Sequence, residues 1–319
     1  MSTVYDEIST RVAFGNALLR YAETDGNVFA VSADTEKSMG FAPLAKARPD
    51  RVINVGIAEQ NMMLVGTGLA ASGAKVYVAT YAPFASMRML EQIRSFCAYP
   101  KLDVKIISGL AGLSGDVEGV THQGLEDVSI LRSIPNMVVV VPADAASAEV
   151  ITQKISEYEG PVYFRVGRNA VPKVFDESYT FEIGKANVVK EEGNDAAIIF
   201  NGATTSRVIE AEKSLREKGY NVQLIEMPCV KPIDKEAIIK AAKETGAIIT
   251  VEEGNIIGGL GGAVAEVLGE NYPTLMKRIG IDDIFTESGP HKELLDKYNF
   301  SPEHIEEVII EVIHNKGSY

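Results

Sequence analysis

Six short runs rich in β-branched residues constrain the first half of this chain more than anything else in it. They are Val28–Ser32 (VFAVS), Val52–Val55 (VINV), Val76–Thr80 (VYVAT), Val104–Ser108 (VKIIS), Met137–Val141 (MVVVV) and Pro161–Val166 (PVYFRV). Segments long enough for a helix separate them. A continuously apolar run such as MVVVV reads as a strand buried on both faces, which is what a parallel sheet requires. Strands alternating with helices therefore predict an α/β architecture. The same alternation returns later, with strands at Ala196–Phe200, Val222–Glu226 and Ala247–Val251. Helices are expected at Thr204–Lys218, Lys235–Thr245 and Gly259–Leu268, with Pro302 opening the last one. Between the halves, Asn169–Thr180 has no helical period and reads as a linker. The expected fold is thus two three-layer α/β domains, each with a mostly parallel sheet. Residues 1–170 form the first, 171–182 connect them, and 183–319 form the second.

The remaining elements of the first half follow from similar signals. Ser2–Ala22 reads as a helix with Val12, Leu18 and Leu19 on its apolar side, and it carries Arg11. Pro83 suits a first helical turn. That helix is expected to run to about Ala98, with Phe84, Met87, Leu90 and Phe96 available for packing. In an α/β sheet, ligand contacts gather beyond the carboxyl ends of the strands. This makes Asp34 and Ser38 candidates, although turn formation is their default role.

Arg51–Ala71 (RVINVGIAEQNMMLVGTGLAA) holds the first chemical candidate. Its strand turns at Gly56 into an apolar helix whose small residues, Gly66, Gly68, Ala70 and Ala71, would let another backbone approach. Glu59 is one carboxylate in a segment otherwise poor in charge. On residue type alone it favours the first turn of its helix. In apolar surroundings a carboxylate instead has a raised pKa and can share a proton near neutral pH. A second candidate is the loop Gly109–Gly124, which carries five glycines together with Asp116, Glu118 and His122. A long glycine-rich loop is a functional candidate by default.

Composition excludes some functions. Net charge is −13 and no cluster of Lys and Arg occurs, which argues against nucleic acid. A phosphorylated substrate would need locally placed cations. Cys97 and Cys229 form no metal or redox motif, in keeping with a reduced cytosol. The start MSTVYDEIST lacks a secretory pattern and no apolar run approaches a membrane span, so a cytoplasmic protein without a membrane partner is expected. Gly258–Gly262 could suggest a phosphate cradle, but it has neither dinucleotide nor P-loop spacing. Close helix packing explains it better, and Glu252 and Glu253 before it read as a polar strand end.

Three motifs, taken in order and with their spacing, point further. IAEQ at Glu59, Thr80-Tyr81-Ala82-Pro83-Phe84 and Glu118-Gly119-Val120-Thr121-His122-Gln123-Gly124 together resemble the transketolase family of thiamine diphosphate enzymes, at the pyrimidine-binding domain. The resemblance covers most of the chain and continues into a transketolase C-terminal domain. What it implies is specific. Glu59 matches the glutamate that hydrogen-bonds the cofactor's aminopyrimidine N1′ and favours its imino tautomer. Tyr81 and Phe84 match aromatic positions that pack on that ring, a flat partner for a flat heteroaromatic, and Met87 lies at a third such position. Asp34 matches an acidic position near the cofactor. His122 matches a substrate-facing histidine able to shuttle a sugar proton. Glu118 stands where the family commonly has Asp, a longer carboxylate that could still bind a hydroxyl of the donor substrate, and Leu110 near where sugar-transferring members have a second histidine. Arg11, Ser38 and Arg168 match positions that hold an acceptor phosphate, and Arg165 is near enough to substitute. Arginine forks onto phosphate oxygens better than lysine does.

The family's diphosphate-binding segment, Gly-Asp-Gly followed by Asn-Asn, is not seen before Glu59. The resemblance therefore implies the C-terminal subunit of a split transketolase. Thiamine diphosphate would be its cofactor, with Mg²⁺ held by a separate N-terminal subunit, so no metal ligand is assigned to this chain. An α₂β₂ heterotetramer is expected, with self-association through the helix after Glu59. The reaction would move a two-carbon ketol unit between sugar phosphates of the pentose phosphate type. Alternatives are a split transketolase for a sulfonated or branched ketose, a subunit resembling deoxyxylulose-phosphate synthase or a 2-oxoacid dehydrogenase β chain, and a non-catalytic scaffold.

Overall fold

The computed structural model describes residues 7–316. It builds two large sheets with helices on both faces of each, and a two-stranded one. The first has seven strands in the order Cys229–Lys231, Val138–Val140, Val162–Arg165, Val104–Gly109, Lys75–Tyr81, Val28–Ser32 and Val52–Asn54. All neighbours are parallel except the outermost pair, where Cys229–Lys231 runs antiparallel to Val138–Val140. Phe14, Leu18, Tyr77, Ile151 and Phe164 fill one face. Met62, Met63, Val78, Ile93 and Leu131 fill the other. The second sheet has five strands in the order Leu275–Ile281, Ala247–Asn255, Ala196–Phe200, Val222–Glu226 and Asn187–Lys190, the last antiparallel and the others parallel. The α/β expectation holds for both halves.

Local chemistry explains the helix ends. Asp144 accepts from the Ser147 amide and Ser147 Oγ accepts from the Asp144 amide, each at 2.9 Å, which starts the helix Ala145–Glu157 with a reciprocal cap. Asp234 caps Lys235–Thr245, which ends at Gly246 in the left-handed region. Ser301 and Pro302 open Pro302–Asn315.

Several elements differ from expectation. The first helix is Thr10–Thr24, capped by Ser9, and Glu7–Ile8 before it is a short strand paired with Val171–Pro172 of the linker. The residues before Glu7 lie outside the described part. Leu18 is buried as expected, but Val12 stands on the surface. The segment after Pro83 is not one regular helix. It has widened π turns at Phe84–Arg88 and Ile93–Ala98 around a short α turn at Leu90–Gln92. Each inserted residue rotates the remainder of the segment about its axis, and Met87 and Phe96 end up exposed rather than packed. Gly66 does not serve an intersubunit surface: a Cβ there would fall 2.6 Å from Val78 Cγ1 of the chain's own sheet, whereas Gly68 faces open space. Strand Cys229–Lys231 was not legible, because it follows the linker yet joins the first sheet, pairing with a strand about ninety residues earlier. No helix among the described residues is long and apolar enough to cross a membrane.

Candidate active site

The candidate residues gather at the carboxyl ends of the parallel strands of the first sheet, where this architecture leaves a crevice. Strand Val52–Asn54 leads through Gly56, at φ +73°, into the helix Glu59–Ala71, so Glu59 opens that helix. Its side chain is only 3% exposed. It is not alone. Arg88 Nη1 donates to Glu59 Oε1 at 2.7 Å, and the Arg88 guanidinium lies 3.9 Å from the centre of the Phe84 ring. The apolar surroundings expected from the sequence are corrected to a paired carboxylate, because the π turn Phe84–Arg88 brings a cation onto it. An open cleft of about 490 Å³ lies here, lined by Ile57, Ala58, Glu59, Gln60, Asn61 and Arg88.

Tyr81, Phe84 and His122 form one cluster of rings. Centroids are 5.7 Å apart for Tyr81 and Phe84, 5.5 Å for Tyr81 and His122, and 5.4 Å for Phe84 and His122. Tyr81 ends its strand, Phe84 starts the π turn, and His122 arrives from the glycine-rich loop. Gly124 permits that approach, since a Cβ there would fall 2.3 Å from Ala82 Cβ. Thr121 Oγ1 and His122 Nδ1 are 2.9 Å apart.

The cluster continues to Ser38. Tyr81 Oη donates to Ser38 Oγ at 3.0 Å, and Ser38 Oγ donates to the Thr35 carbonyl at 3.0 Å. Arg11 Nη1 donates to the Ser38 carbonyl at 2.5 Å. Burial, followed by the positive charge of Arg168, pushes the Arg11 guanidinium below its ordinary value. The two guanidinia thus feel one another's charge, an arrangement suited to an anion. Arg168 Nη1 also pairs with Glu118 Oε1 at 2.8 Å, so Glu118 points to an arginine in this structure. Asp34, at φ +63°, is exposed and exchanges hydrogen bonds with Asn54: its amide donates to Asn54 Oδ1 at 3.1 Å, and Asn54 Nδ2 donates to Asp34 Oδ1 at 3.2 Å. Met87 is half exposed beside Arg88. Leu110 is buried at the loop's start, with φ +52°.

Arg165 does not join the set. It is buried, with Nε donating to Asp127 Oδ2 at 2.8 Å and Nη2 to the carbonyls of Gly124 at 2.8 Å and Glu253 at 2.9 Å. The expected substitution for a phosphate-binding arginine is therefore corrected: this guanidinium ties the loop, the first sheet and the second half together.

The second half closes on the loop from outside. Glu253 is buried, and its Oε1 accepts from the Leu113 amide at 2.6 Å and lies 2.9 Å from His291 Nε2. Although burial opposes its charge, His291 holds the Glu253 carboxyl below its ordinary value. Gln123 Nε2 donates to the Glu287 carbonyl at 2.9 Å, and Thr286 Oγ1 donates to Gln123 Oε1 at 2.5 Å. Glu252 is buried too, and both its oxygens cap the helix Leu260–Asn271, accepting from Leu260 N at 2.7 Å and Gly261 N at 2.8 Å. The polar strand end expected at Glu252 and Glu253 is corrected on both counts. Gly258, Gly259 and Gly261 do serve close packing, since a Cβ on Gly259 would fall 2.1 Å from Glu252 Oε2, whereas Gly262 faces open space. Sequence reasoning missed Arg88, Gln123, Thr286 and His291. Arg88 alone carried a signal, as a cation four residues after Phe84 and so able to reach back to it.

Comparison with known proteins matches a model described as transketolase, pyrimidine binding domain, to residues 6–173 and one described as transketolase, C-terminal domain, to residues 184–305. The chain belongs to the transketolase family. Within it, this transketolase chain is 41% identical over 304 residues to a protein of Methanocaldococcus jannaschii named as a transketolase C-terminal section, covering 94% of this chain and 95% of that one. It is 35% identical over 307 residues to a 6-deoxy-6-sulfo-D-fructose transketolase subunit of a Clostridium species, covering 96% and 95%. A solved structure titled split gene transketolase, inactive beta4 tetramer, superposes with a TM-score of 0.90 at 42% identity, covering 97% of this chain and 99% of that one. The chain is a transketolase of the split kind, one subunit of an enzyme.

Proposed function

We propose that this chain is the C-terminal subunit of a thiamine diphosphate-dependent transketolase that moves a two-carbon ketol unit from a ketose phosphate to an aldose phosphate, and that it acts only with a separate N-terminal subunit. One observation carries the reading. A continuous path runs from buried Glu59 through Arg88 and Phe84 to the Tyr81–His122 rings, then through Ser38 to Arg11. Such a path offers a proton acceptor, a flat aromatic wall, a proton shuttle and a cationic end, in that order.

These residues fit an aminopyrimidine. Glu59 supplies a buried acceptor, and Tyr81 and Phe84 supply ring faces beside it. When bound, thiamine diphosphate supplies a carbon able to attack a ketose carbonyl and hold the resulting negative charge. Glu59 would sit on the ring nitrogen and share the proton of that hydrogen bond. Phe84 and Tyr81, with Met87 at the margin, would pack against the ring and shield it from water. Asp34, at the neighbouring strand end, completes the cofactor side. The Thr121 hydroxyl, 2.9 Å from His122 Nδ1, orients the imidazole and leaves Nε2 for a sugar oxygen. Arg11 and Arg168, with Ser38, hold the phosphate, and Glu118 sets the position of Arg168. Magnesium and the diphosphate are assigned to the partner. Self-association of this chain within an α₂β₂ assembly agrees with the name of the β4 structure above, which describes that tetramer as inactive.

Calorimetric titration of thiamine diphosphate with Mg²⁺ tests the reading. Tight binding and ketol transfer are expected only when the N-terminal subunit is present. Tight binding by this chain alone would refute the division of labour. A second reading, a sulfonated ketose donor, is favoured by buried Leu110 in place of a second histidine and by the sulfofructose relative. Replacing the ketose phosphate by its sulfonate in the same assay separates the two.

A further inference from the structure

The loop that carries His122 is closed at its neck by its own backbone: the Gly112 amide donates to the Gly124 carbonyl at 2.7 Å, and the Gly124 amide to the Leu110 carbonyl at 3.3 Å. A closed neck leaves the loop free to rock as a unit. Arg165, bound to the Gly124 carbonyl at 2.8 Å, and Arg168, paired with Glu118 at 2.8 Å, hold it from the first half, and a second set of ties comes from the second half of the chain. Leu113, at one side of the neck, is tied to Glu253 at 2.6 Å. Gln123, at the other, is tied to Thr286 at 2.5 Å and to the Glu287 carbonyl at 2.9 Å. The fit is close in between: a Cβ on Gly112 would fall 2.6 Å from Glu253 Oε1, and one on Gly119 would fall 2.4 Å from Ser288 Oγ. His291 completes the brace by holding Glu253 from the far side at 2.9 Å.

We infer that Thr286, Glu253 and His291 are positioning residues for His122, and that the C-terminal half is part of the substrate-orienting apparatus of this enzyme rather than only a support for assembly. Gln123 follows His122 directly in the chain. Its amide is held at both ends, oxygen by Thr286 and nitrogen by Glu287, so it cannot rotate without breaking two bonds. That fixes the backbone from which the imidazole projects toward Tyr81 and Phe84. A catalytic group displaced by about 1 Å loses on the order of a hundredfold in rate, so a brace of this kind carries rate without touching substrate. The inference rests on the assignment of His122 to the sugar.

The decisive variant is Thr286→Val, which keeps shape and removes the donor. Hydrogen exchange on the full chain is expected to show amides of residues 110–124 exchanging about tenfold faster. In the reconstituted two-subunit enzyme, kcat is expected to fall about tenfold, while the KM for the aldose phosphate and cofactor affinity by calorimetry hold and the thermal midpoint, lowered by the unpaired Gln123 oxygen, stays well above the assay temperature. Thr286→Ser restores both exchange and kcat. Gln123→Met reaches the same end by another route and serves if Thr286→Val folds poorly. Unchanged exchange and kcat in Thr286→Val overturn the inference, as does a loss of kcat that tracks the thermal midpoint or that Ser does not restore. His122→Asn separates this failure from failure of the underlying assignment. If that variant keeps full kcat, the assignment of His122 falls and takes the inference with it; if it loses kcat while Thr286→Val does not, only the brace is wrong.

Discussion

Arg88 binds Glu59 Oε1 at 2.7 Å and covers Phe84 at 3.9 Å, so one guanidinium engages both the buried carboxylate and the aromatic ring beside it. Glu59→Gln separates the two roles of the carboxylate. The amide still accepts from Arg88, which preserves the local packing, but it has no proton to share. Turnover of the reconstituted enzyme is expected to fall by at least about a hundredfold, with the thermal midpoint little changed. Full turnover in steady-state assays would exclude the proton-sharing role.

On the proposed placement of the ring beside Glu59 and Phe84, Arg88 would compete with it. The guanidinium is about half exposed, so the pair is worth about 1 kcal/mol at most. Arg88→Met keeps a long apolar side chain near Phe84 and removes the competitor. Thiamine diphosphate is expected to bind the reconstituted enzyme up to about fivefold more tightly by calorimetry, and the gain should shrink at high salt in the wild type. Weaker binding would show that Arg88 holds the ring rather than its place.

The two arginines on the same strand end differ in a testable way. Arg168 is partly exposed beside Glu118, whereas Arg165 is buried and bound to Asp127, Gly124 and Glu253. Arg168→Gln is expected to raise the KM for the aldose phosphate about tenfold with a smaller change in kcat, since a charge-assisted bond contributes roughly 1.5–3 kcal/mol. Arg165→Lys is expected to lower the thermal midpoint and leave that KM alone, because a lysine cannot make three divergent contacts. Equal KM effects from both would place Arg165 in the phosphate site after all.

The strands were legible because burial on both faces leaves an unbroken apolar run, and MVVVV or VFAVS admits few other readings. That Tyr81, Phe84, His122 and Ser38 lie together was legible because each follows the carboxyl end of a parallel strand, whereas Arg11, on a helix, rested on the resemblance alone. The pair Glu59–Arg88 was not, since a π turn moves Arg88 and no sequence pattern marks a π turn. Arg165 misled for a related reason: it follows Phe164 on a strand, where the choice between pointing to solvent and pointing to Asp127 depends on register. Glu252 and Glu253 read as polar because two adjacent carboxylates are rarely both buried. Here one finds the N-terminus of a helix eight residues on and the other finds His291, partners that only the tertiary fold supplies.

Glu226 gives the chain a pH dependence that can be measured. It lies at the end of strand Val222–Glu226, fully buried beside the linker, where Tyr179 Oη donates to it at 3.2 Å and Asn187 Nδ2 at 2.9 Å. Burial pushes its carboxyl from 4.5 up to about 8, the nearby Asp144 charge acts in the same direction, and the two hydrogen bonds oppose the rise. The folded chain therefore keeps a proton that the unfolded chain gives up above about pH 4.5. With more protons bound in the folded state, stability falls as pH rises through that window and levels off once the folded group has ionised. Glu226→Gln removes the titration while keeping an oxygen acceptor. The wild-type thermal midpoint is expected to decline from pH 5 to pH 8, and that of Glu226→Gln to decline less, so that the variant is the more stable of the two at pH 8. Parallel curves for the two proteins would show that Glu226 is already ionised at the lower pH, with Tyr179 and Asn187 outweighing its burial.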